Sequence, residues 1–139
     1  MTIADFDSCP CGVGAAYANH CKPLHDAGFA GLTASAEDTM RSRYCAYITH
    51  DAAYLLATWH ESTRPQSIDF SDSIDWHGLT IEETVDGTGL SSIGTVQFRA
   101  RFQREDAHLE LHERSTFVRE NGRWFYVDGT DPDDESIAL

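Results

Sequence analysis

Basic residues are scarce in this chain: Lys and Arg number 10 against 23 Asp and Glu in 139 residues, a formal net charge of −13. Surfaces that track phosphate backbones or anionic lipid need clustered cations, so the composition argues against nucleic acid and against a membrane as partners. Long apolar runs are missing too. No stretch approaches the roughly 20 apolar residues that span a bilayer, and Met1 to Asp7 has neither a cationic start nor an apolar core of a leader, so the predicted location is cytoplasmic. There is no nucleophile motif, no glycine-rich phosphate loop and no internal repeat. With 41% hydrophobic residues the chain has enough for one core and a small appended motif, and not for a second large domain.

Cysteine is sparse as well, with four in the chain, but three of them (Cys9, Cys11, Cys21) fall within thirteen residues beside His20 and His25. In a reducing compartment that clustering favours metal over disulfide. Cys9-Pro10-Cys11-Gly12 makes a tight turn that aims two thiolates at one point, and Cys21 returns with His20 beside it. Three thiolates and one imidazole fill a tetrahedral zinc shell and leave no open position for water, the pattern of a structural knuckle. His20 is the preferred fourth ligand, and His25, at helical spacing from Cys21, is its rival. Residues 8–31 otherwise show no apolar periodicity and read as a motif held by something other than a core.

From Ser35 onward the pattern becomes helical. Ser35 with Asp38 reads as a capping box, and Ala36, Met40, Tyr44, Tyr47 and Ile48 recur on one face, which predicts a helix over 36–49. Asp51 caps a second, from 52 to about 59, and residues 61–73 form a loop. The rest alternates as strands: Leu79 and Ile81 on one face of the first; Val96, Phe98, Ala100 and Phe102 on one face of the second; a third over about 108–119; and a fourth over about 123–128. Asn121-Gly122 suits the hairpin between the last two. Helices followed by antiparallel strands predict an α+β domain.

Two resemblances come from particular residues. The run CPCGVGAAYANHC (9–21) resembles the SEC-C motif, a short zinc-binding element also found at the C-terminus of the bacterial protein-export motor; the match puts that motif's ligands on Cys9, Cys11, His20 and Cys21, with the final pair in the order His-Cys. The segments MRSRYCAYITHDAAYLLATWHESTRP (40–65), GTVQFRARF (94–102) and HERSTFVRENGRWFYVDG (112–129) resemble the YchJ-like family, bacterial proteins that join a SEC-C motif to a nuclear-transport-factor-like domain. The resemblance implies a cone, cystatin-like in outline, in which a curved antiparallel sheet wraps N-terminal helices. Together with the acidic residues crowded at its end, which read as a solvated tail, the resemblance divides the chain into a zinc motif (1–31), a cone domain (32–130) and an acidic tail (131–139).

In the third strand Leu109, Leu111, Glu113, Ser115 and Phe117 share one parity, which places the Glu113 carboxylate where a core residue belongs. Burying it requires partners, and Arg41, Arg43 and His60 are the candidates. Tyr126 and Trp124 share a parity with Asp128 and could line the same space. A pocket built from Arg41, Tyr44, His60, Glu113 and Tyr126 would suit a small-molecule ligand or acid–base chemistry of the isomerase or lyase type; the plainer alternative is a salt bridge between helix and sheet. Tyr44, Tyr47, Trp59 and Trp76 fit a core, Cys45 fits as a small helix residue, and Arg99, Arg101, Arg114 and Arg119 fit a solvated outer face. The combined expectation is a binding or adaptor protein that meets a protein partner through its knuckle, with an enzyme using the cone pocket or a dimer module using the sheet face as alternatives.

Overall fold

The computed structural model describes residues 3–27, 35–70, 74–88 and 91–132. A turn-rich segment leads through a 3₁₀ turn, Tyr17–Asn19, into helix α1 (Cys21–Ala27); α2 (Ala36–Thr49) and α3 (Ala52–Ala57) follow, then strands β1 (Ile74–Val85), β2 (Ile93–Arg104), β3 (Ala107–Glu120) and β4 (Arg123–Thr130). The strands form one antiparallel sheet in the order β1-β2-β3-β4. This is the expected α+β cone: helices on one face of a curved sheet. The acidic residues Asp133, Asp134 and Glu135 of the expected tail lie outside the described residues.

Local chemistry sets the element ends. Ser35 Oγ accepts from the Asp38 amide at 3.0 Å and Asp38 returns the bond to the Ser35 amide, so two free donors at the start of α2 are satisfied together. His50 ends that helix in the left-handed region, at φ 56°. The second helix stops at Ala57, earlier than the apolar pattern suggested, because Trp59 leaves to bridge Tyr126 on β4. There the Tyr126 amide donates to the Thr58 carbonyl at 2.8 Å and the His60 amide to the Tyr126 carbonyl at 2.7 Å, laying a short parallel segment along the outer edge of β4. Asn121 and Gly122, at φ 53° and 77°, form the two-residue β3–β4 turn, with Glu120 facing Arg123.

Val96, Phe98, Ala100, Phe117 and Trp124 from the sheet meet Met40, Tyr44 and Cys45 from α2 in one buried cluster. A second, smaller one holds Ala46, Tyr54 and Leu55. Leu109 and Leu111, expected inside, are 42% and 38% exposed. Parity puts both on the inner face, where Leu111 lines an open cavity beside α2 instead of packing in the core.

One irregularity decides which β4 residues face inward. Thr116 pairs with Asp128 while Phe117 pairs with Tyr126, so an extra residue, Val127, bulges from β4. Beyond the bulge the alternation reverses. Trp124 and Tyr126 keep the inner face, Asp128 turns to the exposed face, and Gly129 takes the inner position opposite Ser115. The shared parity of Asp128 with Tyr126 therefore does not hold in space.

Candidate metal centre and cone cavity

Residues 3–27 fold without a core of their own and use the cone's instead. A bridge between Ser8 and Ala16, with the Cys9 amide donating to the Ala15 carbonyl at 2.8 Å, closes a small loop. Gly12 (φ 83°) and Gly14 (φ 90°) turn it, conformations that suit glycine. Gly12 also lies close against the Leu79 carbonyl of β1, where an added Cβ would approach to 3.2 Å. Cys9, Cys11, Tyr17 and Cys21 are buried in the same cluster as Met40, Tyr44 and Leu79. The sequence expectation of a core-free motif is thus corrected: its core is shared.

Those turns converge on one point. The side-chain donors of Cys9, Cys11, His20 and Cys21 lie within 4.8 Å of one another. His20 Nδ1 sits 3.3 Å from Cys11 Sγ and 3.2 Å from Cys21 Sγ, while its Nε2 faces Asp38 Oδ1 at 3.9 Å. This set could hold a metal ion. The thiols crowd one another enough to share protons: hydrogen bonding from Cys21 draws Cys11 down to about 6, and Cys9 is drawn low first by Cys11. Cys21 is pushed up, first by its hydrogen bond to Cys11. Such a nest of buried sulfurs is what a divalent cation compensates when all of them ionise.

His25 stands apart from that point. Its Nε2 lies 2.8 Å from the Ser42 carbonyl, which only accepts, so Nε2 carries the proton; Nδ1 meets the Tyr17 hydroxyl at 2.7 Å. Both nitrogens are engaged, and the ring packs edge-on against Tyr54 at 4.8 Å. His25 fastens α1 to α2 and to the preceding turn. Burial pushes the Tyr17 phenol up to about 12, which keeps it a hydroxyl at neutral pH.

Arg41 belongs to this region and not to the cone cavity. Its Nε donates to Glu37 Oε2 at 2.9 Å and one terminal nitrogen donates to the Cys11 carbonyl, tying the knuckle to α2. His60 is also elsewhere: Nε2 meets Glu120 Oε1 at 3.0 Å and Nδ1 meets Ser62 Oγ at 2.7 Å. Both residues had been expected beside Glu113. Sequence parity cannot report the direction in which a helical side chain leaves its axis relative to a distant strand.

The cavity between α2 and the sheet measures about 260 Å³ and is lined by Arg43, Tyr44, Trp76, Glu113 and Tyr126 among others. Glu113 accepts from Ser115 Oγ at 2.6 Å in place of the expected arginine or histidine bond. The β4 bulge makes its space: Gly129 lies directly beneath, and any Cβ there would run into the carboxyl. Arg43 enters from the other side, 3% exposed, donating to the Leu55 carbonyl at 2.8 Å and to Thr58 Oγ1 at 2.7 Å. Its guanidinium also lies 5.0 Å from the centre of the Trp59 ring and 4.7 Å from that of Tyr126. Burial lowers the Arg43 pKa and raises those of Tyr44, to about 12, and Tyr126. The outer sheet face carries a surface network instead: Glu82 accepts from Arg99 at 2.7 Å and meets His112 at 2.7 Å, and Arg99 reaches Glu110 at 2.6 Å. Arg114 donates to Gln97 and Arg101 to Thr80, so the expected basic stripe is largely paired across strands.

Known proteins resemble this chain in sequence and fold. The family model described as the YchJ middle NTF2-like domain matches residues 35–129. A UPF0225 protein of Streptomyces coelicolor is 46% identical over 121 residues, covering 87% of this chain and 93% of its own length. One from a Polaromonas species is 47% identical over 131 residues, covering 87% and 91%. Among solved structures, a SEC-C motif containing protein from Rhodopseudomonas palustris superposes with a TM-score of 0.79 at 32% identity, covering 91% of this chain and all of that one. A SEC-C motif containing protein from Psychrobacter arcticus gives 0.72 at 26% identity, covering 89% and 82%. The chain belongs to the YchJ-like, UPF0225 family.

Proposed function

We propose, starting from that family membership, that Cys9, Cys11, His20 and Cys21 hold a structural zinc ion and that the protein acts as a binding or adaptor protein in a reducing compartment. The observation that carries the zinc reading is the donor set itself: three thiols and an imidazole within 4.8 Å of one another. That is a Cys₃His shell, the composition of closed structural sites, which fill the coordination sphere and leave no place for a catalytic water. The SEC-C naming of the two similar structures supports the same assignment. His20 then presents its second nitrogen toward Asp38, the carboxylate–imidazole pairing that commonly orients such a ligand.

Zinc here joins pieces rather than performing a reaction. It fixes the 9–21 segment in the turn that Arg41 and Gly12 dock against α2 and β1, and so presents its outer side in one shape. Val13 in this segment is 41% exposed and Phe6, just before it, 94% exposed, which supports a protein contact at the knuckle. Metal analysis of protein purified without chelators tests the first half: about one zinc per chain is expected, and the double variant Cys9→Ser/Cys11→Ser should lose it. A wild-type value well below half an equivalent would sink the zinc reading. For the contact, a photo-crosslinking residue at position 6 should give discrete protein adducts in cells, and one at Glu110 should not; identical patterns from both positions would end the adaptor reading.

One observation favours a second reading, a small-molecule site in the cone. The cavity of about 260 Å³ brings a carboxylate, a buried guanidinium and aromatic walls together. Acid–base chemistry there would rest on Glu113, since His60 and Arg41 lie outside. Binding of a small ligand that quenches Trp76 fluorescence in wild type and not in Glu113→Gln would support this reading.

A further inference from the structure

A fourth sulfur sits at the knuckle from a different part of the chain. Cys45 lies on α2, 36 residues from Cys9, and its Sγ is 3.5 Å from Cys9 Sγ in the buried interior. Two thiolates on one tetrahedral zinc, each about 2.3 Å from the ion, stand about 3.8 Å apart, so this pair already has nearly the spacing of co-ligands. The cluster therefore offers five donors for four places. Of these, Cys45 is fully buried, and His20 is the outermost, with 17% of its side chain exposed and one nitrogen turned to Asp38.

We propose that Cys45 is an alternative fourth ligand, able to replace His20 and convert the site from Cys₃His to Cys₄. The inference rests on the zinc reading above. In the exchange the Zn–N bond to His20 breaks, the Zn–S bond to Cys45 forms, and the thiol proton passes to the freed imidazole. The consequence is structural. With His20 bound, all four ligands come from residues 9–21 and the metal organises the knuckle alone; with Cys45 bound, the metal also staples the knuckle to α2 of the cone.

Zinc content, chelator competition and zinc X-ray absorption on wild type, H20A, C45S and H20A/C45S test this. Wild type should carry about one zinc, and its absence would overturn the zinc reading and Cys45 together. H20A should keep one zinc with affinity within about tenfold of wild type, and its absorption spectrum should show four sulfurs near 2.3 Å and no nitrogen shell. The double variant should bind at least about 100-fold more weakly, the scale expected when one of four ligands is lost without replacement. If zinc-loaded H20A instead shows three sulfurs with one light atom at about 2.0–2.1 Å, or binds as weakly as the double variant, Cys45 is no ligand while the zinc reading stands. The spectrum is read on the metal-loaded single variant, so it decides the matter even where the double variant does not fold.

Discussion

Gly129→Ala is the sharpest probe of the cone interior, because a single Cβ is set against a single carboxyl. The β4 bulge turns position 129 inward opposite Ser115, and the added methyl would meet the Glu113 carboxyl. Relieving that overlap means moving Glu113 off its 2.6 Å bond with the buried Ser115 or shifting the strand. Overpacking of this kind costs about 1–3 kcal/mol. Against it stands the loss of glycine's freedom in the unfolded chain, which favours alanine by about 0.4–1 kcal/mol. The net loss in Gly129→Ala is therefore about 0–2.6 kcal/mol, or up to roughly 9 °C in Tm for a chain this long. Glu113→Ala removes the obstacle, and the unfolded-state contribution cancels in a double-mutant cycle. Urea unfolding of wild type, both single variants and the pair should then give a coupling energy of about 1–3 kcal/mol, with the double variant more stable than the two single losses add up to. Asp128→Ala, one residue away on the exposed face, should change stability by less than about 0.5 kcal/mol. Additivity within about 0.3–0.5 kcal/mol, or a large effect at Asp128 with none at Gly129, would show that the strand alternates through 127 without the bulge and refute the reasoning.

His25→Ala should leave the zinc content unchanged and cost about 1–3 kcal/mol, because the Tyr17 hydroxyl and the Ser42 carbonyl lose their shared partner; a folded variant that carries less zinc than wild type on metal analysis would restore His25 as a ligand. Ser35→Ala should cost about 1 kcal/mol by opening the α2 capping box, read as a fall in urea midpoint at unchanged slope. Glu82 is held down to about 2 by Gln97, Arg99 and His112, so its contribution to stability is complete above the ordinary carboxylate value of 4.5 and is lost as pH falls through 2. Glu82→Gln should accordingly lie below wild type in Tm at pH 6 and converge with it towards pH 2; parallel curves over that range would contradict the pairing.

Local chemistry was legible in the sequence wherever it was carried by neighbours. The Ser35–Asp38 box, the Asn121-Gly122 turn, the inward series Val96, Phe98 and Ala100, and the grouping of Cys9, Cys11, His20 and Cys21 all depend on spacing within one element or one loop. What could not be read depends on contacts between distant segments. Cys45 looked like a small helix residue because nothing near it in the chain concerns metal, and only the docking of the knuckle on α2 brings it to Cys9. Leu109 and Leu111 have core parity, but spacing within β3 does not report whether a side chain from another element packs against them or a cavity opens there. Glu113 was correctly marked as a carboxylate in apolar phase; its partner proved to be Ser115, two residues away on the same face, while the more conspicuous Arg41 and His60 were used at the knuckle and at β4. The Val127 bulge leaves no compositional mark except Gly129, whose missing side chain is the one sign that the alternation breaks there.

The parallel segment at Thr58–His60 bears on how copies of this protein meet one another. An open strand is a template for any extended chain, its own kind included. Here the outer side of β4 already gives its Tyr126 amide and carbonyl to that segment, and the opposite margin, β1, breaks register between Trp76 and Gly78 and again between Ile81 and Glu83. One border of the sheet is capped and the other is crooked, so the sheet is poorly suited to growth by strand addition.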